Sequence, residues 1–219
     1  MSGRSRESLR VLIAGAGSGA GLACAEALAA CGAELILTDC DGIALTRAAD
    51  RLGAFSRYCD AIGGSSVEVF AAELASLFPA IEVLINAVGR GYVRTLAMTR
   101  MTQAMLPLLR RAGGCRLVIN ISSAGGFVSR DGMFPYASSL EAFDRLSERL
   151  RDQVRGTGVE IVNVAPKLIS GQAGNALWSD RLYDLKQVDK IDTAERILDL
   201  IAAARPGWRR MPPSIVRRA

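Results

Sequence analysis

The sequence contains no histidine, and that absence removes more chemistry than any other feature of its composition. Imidazole titrates nearest neutral pH and is the commonest metal ligand, so His-based triads, imidazole metal sites and histidine acid–base catalysis are all excluded. Lysine is scarce too: Lys167, Lys186 and Lys190 are the full set, and arginine carries the rest of the positive charge. The five cysteines (Cys24, Cys31, Cys40, Cys59 and Cys115) lack the close pairing of a metal site. Most fall in apolar stretches and read as small hydrophobes in a reducing cytoplasm. No apolar run approaches the roughly eighteen residues of a membrane span, so no membrane association is expected. Residues 1–10 are polar and do not read as a secretory signal.

The formal charge of +5 is localised. Arg205, Arg209, Arg210, Arg217 and Arg218 lie in the final fifteen residues, which hold no acid, and the remaining 22 basic residues balance 22 acids. A neutral body with a short basic end does not offer the basic stripe of a nucleic-acid binder, so no nucleic-acid partner is expected. The basic end reads as a solvated segment or a subunit contact.

Apolar runs of strand length occur at 9–14, 34–38, 55–59, 81–85, 116–121 and 159–164. Helical patterns separate them: 22–31, a segment capped by Asp41 and running to 52, 67–77 stopped by Pro79, 93–111 closed by Gly113 and Gly114, 135–155, and finally 193–204. Strands alternating with helices predict an α/β fold, a doubly wound parallel sheet with helices on both faces and right-handed crossovers. No linker, repeat or low-complexity stretch divides the 219 residues, so residues 1–219 are expected to form one domain, with flexible tails at 1–8 and 212–219.

The sharpest signal lies between residues 9 and 39. A strand-like run is followed by Gly15, Gly17, Gly19 and Gly21, then an alanine-rich helix, then a second strand ending at Asp39. Glycines at such a turn let the backbone approach a pyrophosphate and aim helix N–H groups at it, and an acid at the tip of the second strand can accept hydrogen bonds from an adenosine ribose. Each feature alone is weak; the ordered set is specific for a dinucleotide. Ligands of doubly wound sheets lie beyond the carboxyl ends of the strands. The residues to read are therefore 15–21, Asp39, Asp60, 86–89, Ser122, Ser123 and Pro166, with Tyr136 if the second long helix begins at that edge.

These motifs, in this order and over nearly the whole chain, resemble the short-chain dehydrogenases/reductases. Residues 14–21 are similar to the family's Thr-Gly-x-x-x-Gly-x-Gly turn, with Ala14 for threonine and Gly15, Gly19 and Gly21 in place. Asp39 stands where NAD-preferring members keep an acid, and Asp60 resembles the acid that meets the adenine edge. Asn86-Ala87-Val88-Gly89 is similar to Asn-Asn-Ala-Gly, and Asn120-Ile121-Ser122-Ser123 resembles the end of the fifth strand. Tyr136-Ala137-Ser138-Ser139 resembles the start of Tyr-x-x-x-Lys, with a typical thirteen-residue step from Ser123.

The resemblance implies a single Rossmann-type domain and an NAD(P)-dependent oxidoreductase that moves a hydride between nicotinamide and a small-molecule carbonyl or alcohol. Ser123 would hydrogen-bond the substrate oxygen and Tyr136 would give or take its proton, with no metal involved. The cofactor contacts would come from Gly15, Ser18, Gly19, Ala20, Gly21, Asp39, Asp60, Asn86, Ala87, Gly89, Tyr136 and Pro166. NAD is expected over NADP, because Asp39 repels a 2′-phosphate and neither Ala16 nor Ser18 supplies a basic side chain. The two long helices resemble those that build family homodimers and homotetramers.

Four departures accompany the resemblance. Leu140 replaces the lysine that follows the tyrosine by four residues, Arg94 aligns with an asparagine of the proton relay, and Lys167 follows Pro166 where glycine is usual. The fourth is that the segments after Gly91 and after Pro166 are short. A phenol ionises near pH 10, so acting near neutrality needs about 4 kcal/mol of stabilisation from a nearby cation. Two readings stay open: an enzyme in which Arg94 or Lys167 supplies that charge, or an NAD-binding relative without catalysis that senses, scaffolds or pairs with an active subunit. A structural protein with no nucleotide is a third. Trp178, Leu182 and Tyr183 in the 168–189 loop suggest an apolar ligand or lid.

Overall fold

Six of the apolar runs become six parallel strands: β1 (Arg10–Ala14), β2 (Glu34–Thr38), β3 (Phe55–Ser56), β4 (Val83–Asn86), β5 (Leu117–Ile121) and β6 (Glu160–Val164). The computed structural model describes residues 9–17, 19–88, 91–122, 134–164, 190–206 and 208, and for 91–92, 134–140 and 190–191 the backbone alone. The sheet order is β3-β2-β1-β4-β5-β6, as expected for a doubly wound sheet. The chain winds outward from β1 through β2 and β3, then returns to β4 on the other side of β1. That reversal opens a crevice at the carboxyl ends of β1 and β4.

The helices are α1 (Gly19–Ala30), α2 (Gly42–Leu52), α3 (Gly64–Leu77), α4 (Gly91–Arg110), α5 (Phe134–Val154) and α6 (Lys190–Ala204). Strand alternation sorts them into two layers. Val11 and Ile13 of β1 join the cluster that α1, α2 and α6 cover, whereas Leu12 and Ala14 join the cluster under α3, α4 and α5. Among the described residues no helix is long and apolar enough to cross a membrane.

Local chemistry sets the ends. Asp41 caps α2, its carboxylate accepting from the N–H groups of Ile43 and Ala44 at 3.1 and 3.0 Å, and Gly53 ends that helix at φ +61°. Phe78, ahead of Pro79, is extended, because a residue before proline is pushed out of the helical region.

Three expectations are corrected. Helix α1 starts three residues earlier than the alanine-rich pattern suggests, because Gly19, at φ +62°, makes the bend itself, so Ala20 and Gly21 belong to the first helical turn. Strand β3 is two residues long rather than five: beyond Ser56 only the N–H groups of Arg57 and Cys59 still bond β2, to the carbonyls of Leu37 and Asp39. The basic end is not wholly solvated, since Arg205 pairs with Glu82 at 3.4 Å and Trp208 packs on the α1–α6 core. The terminal segments expected to be flexible lie outside the described residues, as does the 168–189 loop.

Candidate active site

The glycine-rich turn folds back onto the end of β2. The N–H groups of Gly15 and Ala16 donate to the Thr38 carbonyl at 2.8 and 3.1 Å. Gly15 has φ +85°, and a Cβ there would lie 2.5 Å from the Ala87 carbonyl oxygen. A Cβ on Gly21 would lie 2.0 Å from the carbonyl oxygen of Gly15. The turn, the first turn of α1 and the exit of β4 thus touch backbone to backbone, an approach only glycine permits.

Asp39 is tied to this turn. Its Oδ2 accepts from the N–H of Gly17 at 2.8 Å and its Oδ1 from the N–H of Asp41 at 2.9 Å. Asp60 organises the next loop in the same way: its Oδ1 accepts from the Ile62 N–H at 2.9 Å, and its own N–H donates to Ser66 Oγ at 3.0 Å. Both carboxylates border a cavity of about 210 Å³ whose wall also includes Gly15, Cys40, Cys59 and Ala87, closed on the α4 side by Ala97 and Met101. The structure thus brings together Gly15, Asp39, Asp60 and Ala87 of the expected nucleotide residues, with Ala20 and Gly21 buried beside the turn. Among the described residues the cavity wall holds no lysine or arginine. An adenosine fits this donor set: a glycine cradle, an apolar wall and two carboxylates that still have lone pairs free.

The other half of the edge is built from amides. Asn86, Asn120 and Asn163 occupy matching register positions on β4, β5 and β6. Asn86 Nδ2 donates to Asn120 Oδ1 at 2.8 Å and to Thr102 Oγ1 of α4 at 3.0 Å, while Asn120 Nδ2 donates to Asn163 Oδ1 at 3.2 Å. Asn120 and Thr102 are fully buried. Sequence reasoning singled out Asn86 and the motif containing Asn120 but missed Thr102 and Asn163. Their signal is strand register, which places Asn163 beside Asn120 although 43 residues separate them.

Ser122 ends β5 against β6, its N–H donating to the Val164 carbonyl at 2.8 Å. Ser18, Gly89, Ser123, Pro166 and Lys167 lie outside the described residues. Tyr136 falls in the first turn of α5. That helix ends beside the start of β6, where Arg151 Nε donates to the Ile161 carbonyl, so it begins at the opposite, carboxyl edge of the sheet. Leu140 follows one turn later on the same helix. Arg94 lies in the first turns of α4, directly after the β4 exit, and is buried, only 8% exposed.

Comparison with known proteins identifies the family to which this fold belongs. The family profile described as short chain dehydrogenase matches residues 92–182, and that described as Enoyl-(Acyl carrier protein) reductase matches residues 15–95. The chain is 28% identical to sulfoacetaldehyde reductase 2 of Chromohalobacter salexigens, over 85% of this chain and 86% of that protein. It is 32% identical to the NADPH-dependent 3-dehydrocapnine reductase of Ornithobacterium rhinotracheale, over 66% of this chain and 56% of that one. The crystal structure of a short-chain dehydrogenase from Streptomyces avermitilis superposes with a TM-score of 0.72 at 25% identity, covering 94% of this chain and 87% of the other. With a shared fold and two profiles that together run from residue 15 to 182, the chain belongs to the short-chain dehydrogenase/reductase family of oxidoreductases.

Proposed function

We propose that this chain is an NADH-preferring oxidoreductase acting on a small carbonyl or alcohol. The observation that carries the cofactor preference is Asp39: a carboxylate held at the end of β2 by two backbone N–H groups, beside a cavity whose described wall offers no cation for a 2′-phosphate. The Ornithobacterium relative uses NADPH, which makes the preference a question to be measured on this chain. The carbonyl substrate class is supported by the aldehyde named for the Chromohalobacter relative.

A bound nicotinamide supplies or accepts the hydride. The chain's own residues then have four tasks. The 15–21 turn and the N-terminus of α1 hold the pyrophosphate, and Asp39 and Asp60 hold the adenosine end. Ser123 donates a hydrogen bond to the substrate oxygen, and Tyr136 transfers the proton at that oxygen. With leucine at position 140, the positive charge that eases phenol ionisation comes from Arg94, whose burial at the start of α4 keeps it out of bulk water, where charge–charge interactions are strongly screened. Helices α4 and α5 form the surface of a homodimer or homotetramer, in keeping with the exposed apolar Val93 and Leu96 on α4, and the protein works in the cytoplasm.

Calorimetric titration with NADH and NADPH, followed by a carbonyl screen monitored at the nicotinamide absorbance, tests this reading. NADH binds more tightly than NADPH, and Tyr136→Phe lowers kcat at least about hundredfold with little change in NADH affinity. Failure of both nucleotides to bind at millimolar concentration overturns the reading. Tight binding without turnover of any carbonyl would leave a nucleotide-binding partner subunit.

A further inference from the structure

Two thiols border the nucleotide cavity. In β2–β3 the Leu37 carbonyl accepts from Arg57 N–H at 3.0 Å while Leu37 is the register partner of Ser56. Past the paired strands the Asp39 carbonyl accepts from Cys59 N–H at 3.3 Å, which brings Cys40, the next residue, alongside Cys59. Backbones joined by such a hydrogen bond run about 4.8 Å apart, within the roughly 4.4–6.8 Å between Cα atoms that a disulfide spans. Cys40 is exposed, Cys59 is 2% exposed with Ser66 Oγ 3.8 Å from its sulfur, and both contribute to the cavity wall.

We propose that Cys40 and Cys59 form a reversible disulfide, and that this bridge weakens nucleotide binding at the adenosine end of the site. The effect on binding rests on the nucleotide assignment above; formation of the bridge does not. The oxidant is a low-molecular-weight disulfide. The exposed Cys40 thiolate attacks it and releases one thiol, and the Cys59 thiolate then attacks the mixed disulfide and releases the second. Two protein thiols are oxidised to one S–S bond, the oxidant is reduced to two thiols, and the two protons lost from the cysteines end on those thiols. The bridge draws Cys40, already on the cavity wall, towards the buried Cys59. Asp39, the preceding residue, must move with it and loosen its hold on the Gly17 and Asp41 N–H groups. Burial and the Asp39 carboxylate push the Cys40 thiol up, and burial does the same for Cys59 against the opposing Ser66 hydrogen bond, with Asp60 adding to both. Exchange is therefore faster in mildly alkaline buffer.

The test treats the full chain with oxidised glutathione and maps the product by peptide mass spectrometry without reduction. The expected product is a Cys40–Cys59 bridge that dithiothreitol reverses. NADH titration of the reduced and bridged forms should show an affinity at least about tenfold weaker after bridging. The Cys40→Ser variant should lose the response to the oxidant, whatever its own affinity. A bridge that does not form, or forms between other cysteines, overturns the proposal, and so does a Cys40–Cys59 bridge that leaves NADH affinity unchanged. If the reduced protein itself binds no NADH, the nucleotide assignment fails, while the mapped bridge is judged on mass alone.

Discussion

The β1–β2–β3 half and the β4–β5–β6 half of the sheet meet the same edge with opposite chemistry. In the first, carbonyls and carboxylates hold loop N–H groups: Thr38 holds the glycine turn, Asp39 holds Gly17 and Asp41, and Asp60 holds Ile62. Those bonds prop a cavity open and leave acceptor capacity at its rim. In the second half, side-chain amides spend their capacity on one another from Asn163 through Asn120 to Asn86 and on to Thr102. That network ties the ends of β4, β5 and β6 to one another and to α4. The amide network is not closed, however: Asn86 Oδ1 is buried without a hydrogen-bond partner among the described residues, so one acceptor at the β4 end stays unspent. The departures from the family pattern, Leu140 and Arg94, fall on α5 and α4, on the side of the amide network.

The comparison breaks most visibly if the amide network proves dispensable. Asn120→Leu removes the acceptor for one Asn86 N–H and the donor for Asn163 Oδ1 in a fully buried setting. Each stranded polar group costs about 1–3 kcal/mol, so urea unfolding should show a loss of about 2–5 kcal/mol. Asn163→Ala removes one bond at a less enclosed position and should cost roughly 1 kcal/mol. An Asn120→Leu protein as stable as the parent would mean that the amide network contributes nothing to the stability of the second half.

The next effect belongs to the open half. On the proposed reading, Asp39→Ser shortens the group assigned to the ribose and removes the charge set against a 2′-phosphate, while a hydroxyl can still bond one of the two N–H groups. NADH affinity should fall about tenfold, roughly 1.4 kcal/mol, and the preference for NADH over NADPH should narrow. Unchanged discrimination in paired titrations would mean that selectivity lies elsewhere on the rim.

The sequence made the open half the easier to read. Continuous apolar runs marked the strands, the glycine spacing marked the turn, and Asp41 marked the start of α2, because each of these depends on neighbours close in the chain. The extent of β3 was misjudged, since Phe55 to Cys59 has strand character but an edge position with little left to pair. The amide network was half visible. Asn86 and Asn120 sit in recognisable motifs, but Asn163 acquires its role only when β5 and β6 align Asn120 with it. Cys40 and Cys59 read as ordinary small hydrophobes for the same reason, because they reach one cavity wall only when the 57–59 segment returns alongside the end of β2.

The smallest effect is set by two other thiols, one in each half. Cys24 on α1 is wholly enclosed, and burial alone pushes it up from 9.0 to about 12. Cys115, just before β5, is pushed to about 11 by burial first, with Glu82 adding and Arg205 opposing. In both cases the folded chain holds its proton more tightly than the unfolded chain does. The resulting stability is complete below about pH 9 and is lost as pH rises towards 11 and 12, at roughly 1 kcal/mol per pH unit for each thiol. Urea midpoints measured from neutral pH to above pH 10 should therefore decline. Cys24→Ala should flatten that decline at least as much as Cys115→Ala, because no opposing cation shields Cys24. Equal, unaltered slopes in both variants would show that the alkaline loss comes from groups common to the two halves, and the contrast between their interiors would then rest on the amides alone.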